Sequence, residues 1–227
     1  MDNSQTAVGI FDKMANVYQE KFMDVSLYHI TLDTFCKLIE NQNAEMLEIA
    51  CGPGNITKYL LQQRPDLKIL GTDLAPNMIR LAQENNPDAT FQLLDCRDMK
   101  SLGKKYDAIM CGFVFPYLSP KEVGAFIHDA AEILNQNGVI YISTMEEDEN
   151  NQSGIKKSSA GDEVYMYYHR ADELINALKE NGFEITDLQR IANSWGDVKV
   201  NDLVVIGRNN NICKIISPLN SMPRRSC

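Results

Sequence analysis

The sequence predicts an α/β fold: a doubly wound, mostly parallel seven-stranded sheet that ends in an antiparallel hairpin. Three observations predict it. Short apolar runs alternate with stretches whose apolar residues recur at helical spacing. Glycines stand between the first run and the helix after it. The last two runs lie too close together to hold the crossover helix that a parallel return requires.

The runs MLEIA (46–50), LKILGTD (67–73), TFQLLD (90–95), YDAIMCG (106–112) and GVIYIST (138–144) read as strands buried on both faces. Between them NITKYLLQQ, PNMIRLAQEN and KEVGAFIHDAAEILNQ read as helices, the last with Val123, Phe126, Ile127, Ala130 and Ile133 along one side. Pro76 and Pro120 fall where helices begin, and Gly138 and Gly182 fall where C-caps are expected. After the helix DELINALKEN come FEITDLQRI and DLVVIG, which must pair antiparallel.

A single domain over 1–208 is expected, with helices at 8–40 lying over the sheet's end. A polar stretch at 146–169, rich in Ser, Asn and Gly over its first part, is long enough to be a lid. Residues 209–227 have no periodicity and no acid, and read as an irregular tail.

Composition narrows the function. The chain of 227 residues is 44% hydrophobic and 23% charged, ordinary for a globular protein. A net charge of -9 disfavours phosphate backbones and anionic lipid surfaces. No apolar run approaches the roughly 20 residues of a membrane span, and the start has no signal-like core, so a cytoplasmic protein is expected. The 6 cysteines show no metal spacing and no disulfide framework, and the acids Glu146, Glu147, Asp148 and Glu149 read as a solvated run, so no metal is assigned.

The segment LEIACGPGNITKYL carries most of the chemistry. Gly52 and Gly54 let the backbone turn sharply beside a helix start whose N–H groups can face a nucleotide or a carboxylate; the same glycines also suit a tight turn with no ligand. Asp73 ends the second strand 21 residues after Gly52, where an acid meets ribose hydroxyls in nucleotide-binding sheets, although it can also cap the next helix. Glu48 interrupts a buried strand and needs a donor or a cation. A ligand with an ammonium or sulfonium group would supply one, as would backbone amides or a basic side chain.

With these residues the chain resembles the class I S-adenosylmethionine-dependent methyltransferases over roughly residues 8–208, in an acid (Glu48) followed by two glycines around a variable residue (Gly52, Gly54). The antiparallel final strand agrees independently. Asn55, Ile56 and Thr57 stand where many members carry a third glycine. The resemblance implies S-adenosylmethionine as cofactor and S-adenosylhomocysteine as product. It also implies Asp73 on the ribose, Leu74 and Met78 flanking adenine, Asp95 and Cys96 at the adenine amino edge, and Cys111, Gly112 and Phe113 along the methionine part. Cys51 belongs to the same loop; Cys51, Cys96 and Cys111 all end parallel strands, where small buried packing is an equally simple role.

The reading is then transfer of a methyl group to a small-molecule acceptor by in-line displacement. Tyr18, Phe113, Tyr117, Tyr165, Tyr168 and His169 are the expected acceptor pocket, with Tyr18 and His169 as weak catalytic candidates. Core packing is the plain alternative for each aromatic. A nicotinamide or flavin oxidoreductase is disfavoured by Thr57, Glu48 and the antiparallel ending, and a non-catalytic S-adenosylmethionine-binding module by the aromatic lid.

Overall fold

The structure is a computed structural model and describes residues 3–157, 161, 163–195 and 198–211. Seven strands form one sheet: β1 (Glu45–Ile49), β2 (Lys68–Asp73), β3 (Thr90–Leu93), β4 (Tyr106–Gly112), β5 (Leu134–Met145), β8 (Phe183–Trp195) and β9 (Val198–Asn209). Their order is β3-β2-β1-β4-β5-β9-β8, with β9 antiparallel between β5 and β8. The order reverses direction at β1 and β4, so the crevice above their carboxyl ends is the place where an open α/β sheet binds a ligand.

The helices are α1 (Asn3–Lys13), α2 (Ala15–Phe22), α3 (His29–Leu38), α4 (Asn55–Gln63), α5 (Pro76–Asn85), α6 (Pro120–Ile133) and α7 (Ala171–Glu180), with short 3-10 turns at Ser26–Tyr28, Cys96–Leu102 and Phe115–Tyr117. The helices α6 and α7 cover one sheet face, where Phe126, Ile127, Leu174 and Leu178 meet Leu47, Ile109, Ile140 and Val205. The other face packs Leu32 and Phe35 of α3 and Leu60 of α4 on Met46, Ala108, Tyr141 and Val204. The central strands β1, β4 and β5 therefore alternate between two apolar layers, which is why their sequences read as continuous apolar runs; β3, expected to be buried on both faces, lies at the sheet's edge, buries only Phe91 and leaves Leu93 exposed.

Three expectations need correction, and the polar stretch gains a hairpin. Only α1 and α2 lie over the sheet's end; α3 is a core helix, because Leu32, Phe35 and Cys36 repeat at helical spacing and are buried against the sheet. Gly138 lies inside β5 and not at a helix C-cap, since α6 stops at Ile133 and the turn of positive φ falls on Asn137. The polar stretch is not wholly irregular: β6 (Gly154–Lys157) and β7 (Glu163–Met166) pair as an antiparallel hairpin. Nor is its acidic start all solvated, because Glu146 is buried and grips Arg190 through both oxygens at 2.6 and 2.7 Å.

At the other end β9 runs to Asn209, one residue past the expected domain limit. The buried Asn209 amide donates to the carbonyls of Ala131, Leu134 and Asn135, so this residue belongs to the domain and not to a tail. The tail beyond residue 211 lies outside the described residues.

Candidate active site

The loop after β1 turns through three left-handed residues, Ala50 (φ 53), Gly52 (φ 53) and Gly54 (φ 76). The two glycines serve different ends. A Cβ on Gly54 would lie 2.3 Å from Asn86 Nδ2 and 3.2 Å from Ala82 Cα, so Gly54 lets the loop pack against α5. A Cβ on Gly52 would meet Tyr18 Cε1 alone among the described residues, at 3.8 Å. Gly52 is thus the glycine that faces the crevice, and Tyr18 of α2 lies over it.

Glu48 is buried on β1, and the hydroxyl of Thr57, in the first turn of α4, donates to its Oε2 at 2.5 Å. Thr57 therefore answers the question the sequence raised about a donor for this acid. At Thr57, within the stretch where many members carry a third glycine, the hydroxyl partners the Glu48 carboxyl. Burial still dominates and pushes the Glu48 carboxyl up to about 8, with the Thr57 bonds acting the other way and Asp73 adding a smaller push.

Asp73 ends β2 with both oxygens engaged: Oδ2 accepts the Gly52 N–H at 3.0 Å and Oδ1 the Ala75 N–H at 2.9 Å. The second bond is the helix-side role foreseen for it; the first ties it to the glycine loop. Each oxygen keeps a second lone pair for a ligand hydroxyl. Leu74 follows it, and Met78 packs with Ala75 and Leu81 against Phe11, Ala15 and Tyr18. Asp95 is held by Arg97 through Nε at 3.0 Å and a terminal nitrogen at 2.6 Å, and Arg97 also reaches Glu122 at 3.2 Å. Cys51, Cys96 and Cys111 are all buried, and burial raises each thiol, so they are inert packing groups that can offer a ligand only their backbone. Gly112 lies close under α4, where a Cβ would fall 2.7 Å from Ile56 Cδ1 and make that side chain shift. Phe113 adopts a left-handed φ of 55° and donates its N–H to Ser143 O.

The N-terminal cap is latched to this loop by polar contacts. Asn55 Nδ2 donates to Phe22 O at 2.8 Å, Asn85 Nδ2 joins Gln19 Oε1 at 2.6 Å to Pro53 O at 2.9 Å, and Asp12 Oδ1 accepts the Asn77 N–H at 2.7 Å at the start of α5. Asp12 thereby caps a helix of another segment. Burial, then Asp73, raises the Tyr18 hydroxyl to about 12, so it stays a neutral phenol.

The expected acceptor residues divide into two groups. Phe11 brings Tyr18 and Tyr117 together, with ring centroids at 5.7 and 5.3 Å, and Phe113 meets Tyr28 at 5.5 Å. These rings converge over the carboxyl ends of β1 and β4. Tyr168 instead packs with Met145, Met166 and Val200, next to Tyr117. His169 is buried, and its Nε2 bonds Phe115 O at 2.8 Å, which requires the proton on that nitrogen. It fastens the returning lid to the turn after β4. Tyr165 is exposed on the hairpin, beside Tyr167. Sequence reading missed Phe11 and Tyr28 as members of this shell, and Asp202, whose Oδ2 accepts from the Tyr28 hydroxyl at 2.7 Å.

Comparison with known proteins agrees with this architecture. Residues 46–138 match a family model described as a methyltransferase domain. A malonyl-[acyl-carrier protein] O-methyltransferase from Acetivibrio thermocellus is 30% identical over 136 residues, 59% of this chain and 44% of that protein. An uncharacterized methyltransferase from Alkaliphilus oremlandii is 25% identical over 196 residues, 78% of this chain and 89% of that protein. The chain spans less than half the length of several curated relatives it matches, 44% and 37% for two of them. Among solved structures, the Burkholderia thailandensis 1,6-didemethyltoxoflavin-N1-methyltransferase, with 1,6-didemethyltoxoflavin and S-adenosylhomocysteine bound, has a TM-score of 0.70 at 18% identity, covering 92% of this chain and 89% of that one. The fold is that of the class I methyltransferases. In fold and sequence together the chain resembles the S-adenosylmethionine-dependent members of that class, of the small-molecule type.

Proposed function

We propose that the protein transfers a methyl group from S-adenosylmethionine to a small-molecule acceptor. The observation that carries this reading is the buried Glu48 carboxyl at the crevice of a methyltransferase sheet, beside a glycine loop that leaves Gly52 open to a ligand. Glu48 and Asp73 are the acids that would meet the cationic and ribose parts of the cofactor. Leu74, Met78, Asp95, Cys96 and the backbone of Cys51, Cys111, Gly112 and Phe113 would form the rest of its bed.

When bound, the cofactor supplies a methyl group already activated by a sulfonium. An acceptor held in line would take that methyl group and give up a proton, with S-adenosylhomocysteine as the other product. The chain's share is alignment and the exclusion of water. Tyr18, Phe11, Tyr117 and Phe113 suit that work, since they are apolar surfaces latched over the crevice. Neither Tyr18 nor His169 suits a strong base: the first is a raised phenol, and the second already uses Nε2 on Phe115 O.

A cytoplasmic setting, a domain of about 1–209 and a preference for small acceptors over nucleic acid complete the proposal. The net charge of -9 supports a small acceptor over nucleic acid and the Asn209 contacts support the domain's end; among the described residues no helix is long and apolar enough to cross a membrane. Calorimetric titration with S-adenosylhomocysteine, followed by an assay of its release from S-adenosylmethionine with grouped metabolites, tests it. Absence of binding by the folded protein would refute the reading.

A further inference from the structure

A second buried acid lies outside the cofactor bed. Asp202 of β9 is fully buried, opposite Met145 of β5 and Ile191 of β8. Its Oδ2 accepts two bonds, from the Tyr28 hydroxyl and from Asn193 Nδ2, each at 2.7 Å, and Asn193 Nδ2 also lies 3.2 Å from the Tyr28 oxygen. Its Oδ1 has no hydrogen-bond partner among the described residues. A buried carboxylate oxygen without a donor is costly, and two side chains, Tyr28 and Asn193, hold the other oxygen in place.

The surroundings point to a ligand. Along β9, Asp202 shares a face with Val200 and Val204, so it stands between the cluster under the lid (Met145, Met166, Tyr168) and the α3 layer. Tyr28 spans from Asp202 to the ring of Phe113, in the loop that follows β4. The group is braced from below: Thr31 Oγ1 donates to Tyr28 O at 2.8 Å and lies 3.0 Å from the Tyr141 hydroxyl. Beside it a cleft of about 550 Å³ opens between Leu27, Asp148, Asn151, Val200 and Asn201, with Asn193 in its wall. The Ser26–Tyr28 turn, the loop after β4 and the end of β5 thus meet at one acid.

We propose that Asp202, positioned by Tyr28 and Asn193, anchors the methyl acceptor by accepting a hydrogen bond from its amine or hydroxyl group. The inference rests on the methyltransferase reading and narrows its substrate class. Burial raises the Asp202 carboxyl and the two donors on Oδ2 act against it; Oδ1 is left without a donor, so an N–H or O–H group on the acceptor would favour the ionised form and complete it. A carboxylate there would meet like charge in a low-dielectric site. Asp202 binds; Tyr28 and Asn193 position it.

The test uses the full chain with tyramine and catechol as donor-bearing probes and trans-aconitate as the carboxylate probe. Each is assayed for S-adenosylhomocysteine release, and for stabilisation of the S-adenosylhomocysteine-loaded protein. A donor-bearing probe should be preferred. Asp202→Asn, which turns an acceptor into a donor, should raise its KM by about tenfold or more, and Tyr28→Phe by about threefold, with S-adenosylhomocysteine affinity within about threefold of the parent. Should Asp202→Asn not fold, Asn193→Ala takes its place and should also raise KM. Unchanged KM in the folded variants, preference for trans-aconitate, or cofactor binding without response to either donor-bearing probe would overturn the inference alone. Failure of the parent to bind S-adenosylhomocysteine would instead remove the reading on which it rests.

Discussion

Thr57 donates its hydroxyl to Glu48 across nine residues, joining the buried strand β1 to the first turn of α4 beneath the glycine loop. The bond makes the local sequence Glu-x8-Thr a single device, a carboxyl kept in the core by one hydroxyl at the crevice. Its protonation gives a measurable signature. With the folded carboxyl raised to about 8 against 4.5 ordinarily, the folded state holds a proton that the unfolded state has lost. Glu48 therefore adds stability below about pH 4.5 that is lost as pH rises towards 8, at a slope of at most about 1.4 kcal/mol per pH unit. Asp73 and Asp202 are raised too and act in the same sense. Denaturant melts at pH 5 to 8 should thus show a steeper loss for the parent than for Glu48→Gln, and equal slopes would remove Glu48 from this account.

The same proton should report on the cofactor. If the cationic end of the ligand pairs with ionised Glu48, binding at pH 7 must release that proton. Calorimetry in two buffers of different ionisation enthalpy should then show a positive proton count for the parent and none for Glu48→Gln. Thr57→Val, which keeps the shape but removes the donor, should cost about 1 to 3 kcal/mol of stability.

Asp73 offers a separate test, because its oxygens already hold the Gly52 and Ala75 amides. Asp73→Ala should weaken S-adenosylhomocysteine by about 1.5 to 3 kcal/mol per lost ribose bond and lower the melting temperature as well. Asp73→Asn keeps one acceptor oxygen and should separate the two effects. Affinity unchanged in a folded Asp73→Ala protein would end the ribose assignment.

Much of this site was legible in the sequence. Glu48, Gly52, Gly54 and Asp73 were visible because their signal is local: a strand end, a turn and a fixed spacing. The central strands were legible because burial on both faces makes them apolar throughout, and the helices because their apolar residues repeat. What escaped has a physical reason in each case. Tyr28 and Asp202 meet across 174 residues, and no local pattern announces such a contact. The hairpin β6–β7 pairs only Gly154–Lys157 with Glu163–Met166 and leaves Ile155 and Tyr165 exposed, so its strands are too short to show a period. Asp12 caps α5 from another helix, and Gly138 resembled a helix stop although Asn137 makes the turn.

The C-terminal boundary follows from Asn209. Its amide reaches three carbonyls at the end of α6 and the start of β5, and Asn210 N donates to Gly182 O at 3.0 Å. Truncation after Arg208 should therefore lower the melting temperature, leaving buried carbonyls unpaired at about 1 to 3 kcal/mol. Truncation after Asn211 should leave it nearly unchanged; a large drop there would place part of the remaining segment in the core.

The lid residues separate a structural from a chemical role. His169 Nε2 is the donor that satisfies Phe115 O in the turn after β4, and the His169 backbone N–H reaches Met145 O at 3.0 Å. His169→Ala should leave the Phe115 carbonyl unpaired and destabilise the protein by about 1 to 3 kcal/mol, while His169→Gln, able to donate from a similar reach, should recover much of that. Tyr165→Phe should leave cofactor affinity unchanged, since the ring is exposed on the hairpin. Tyr18→Phe keeps the ring over Gly52 and should also leave affinity alone, whereas Tyr18→Ala removes the cover from the crevice and should weaken the cofactor and quicken hydrogen exchange in α1 and α2. Stability melts, calorimetry and exchange on these variants decide among the roles. If His169→Gln folds as well as the parent yet loses turnover, His169 belongs to the chemistry after all; if Tyr18→Ala binds normally, the cap does not cover the cofactor.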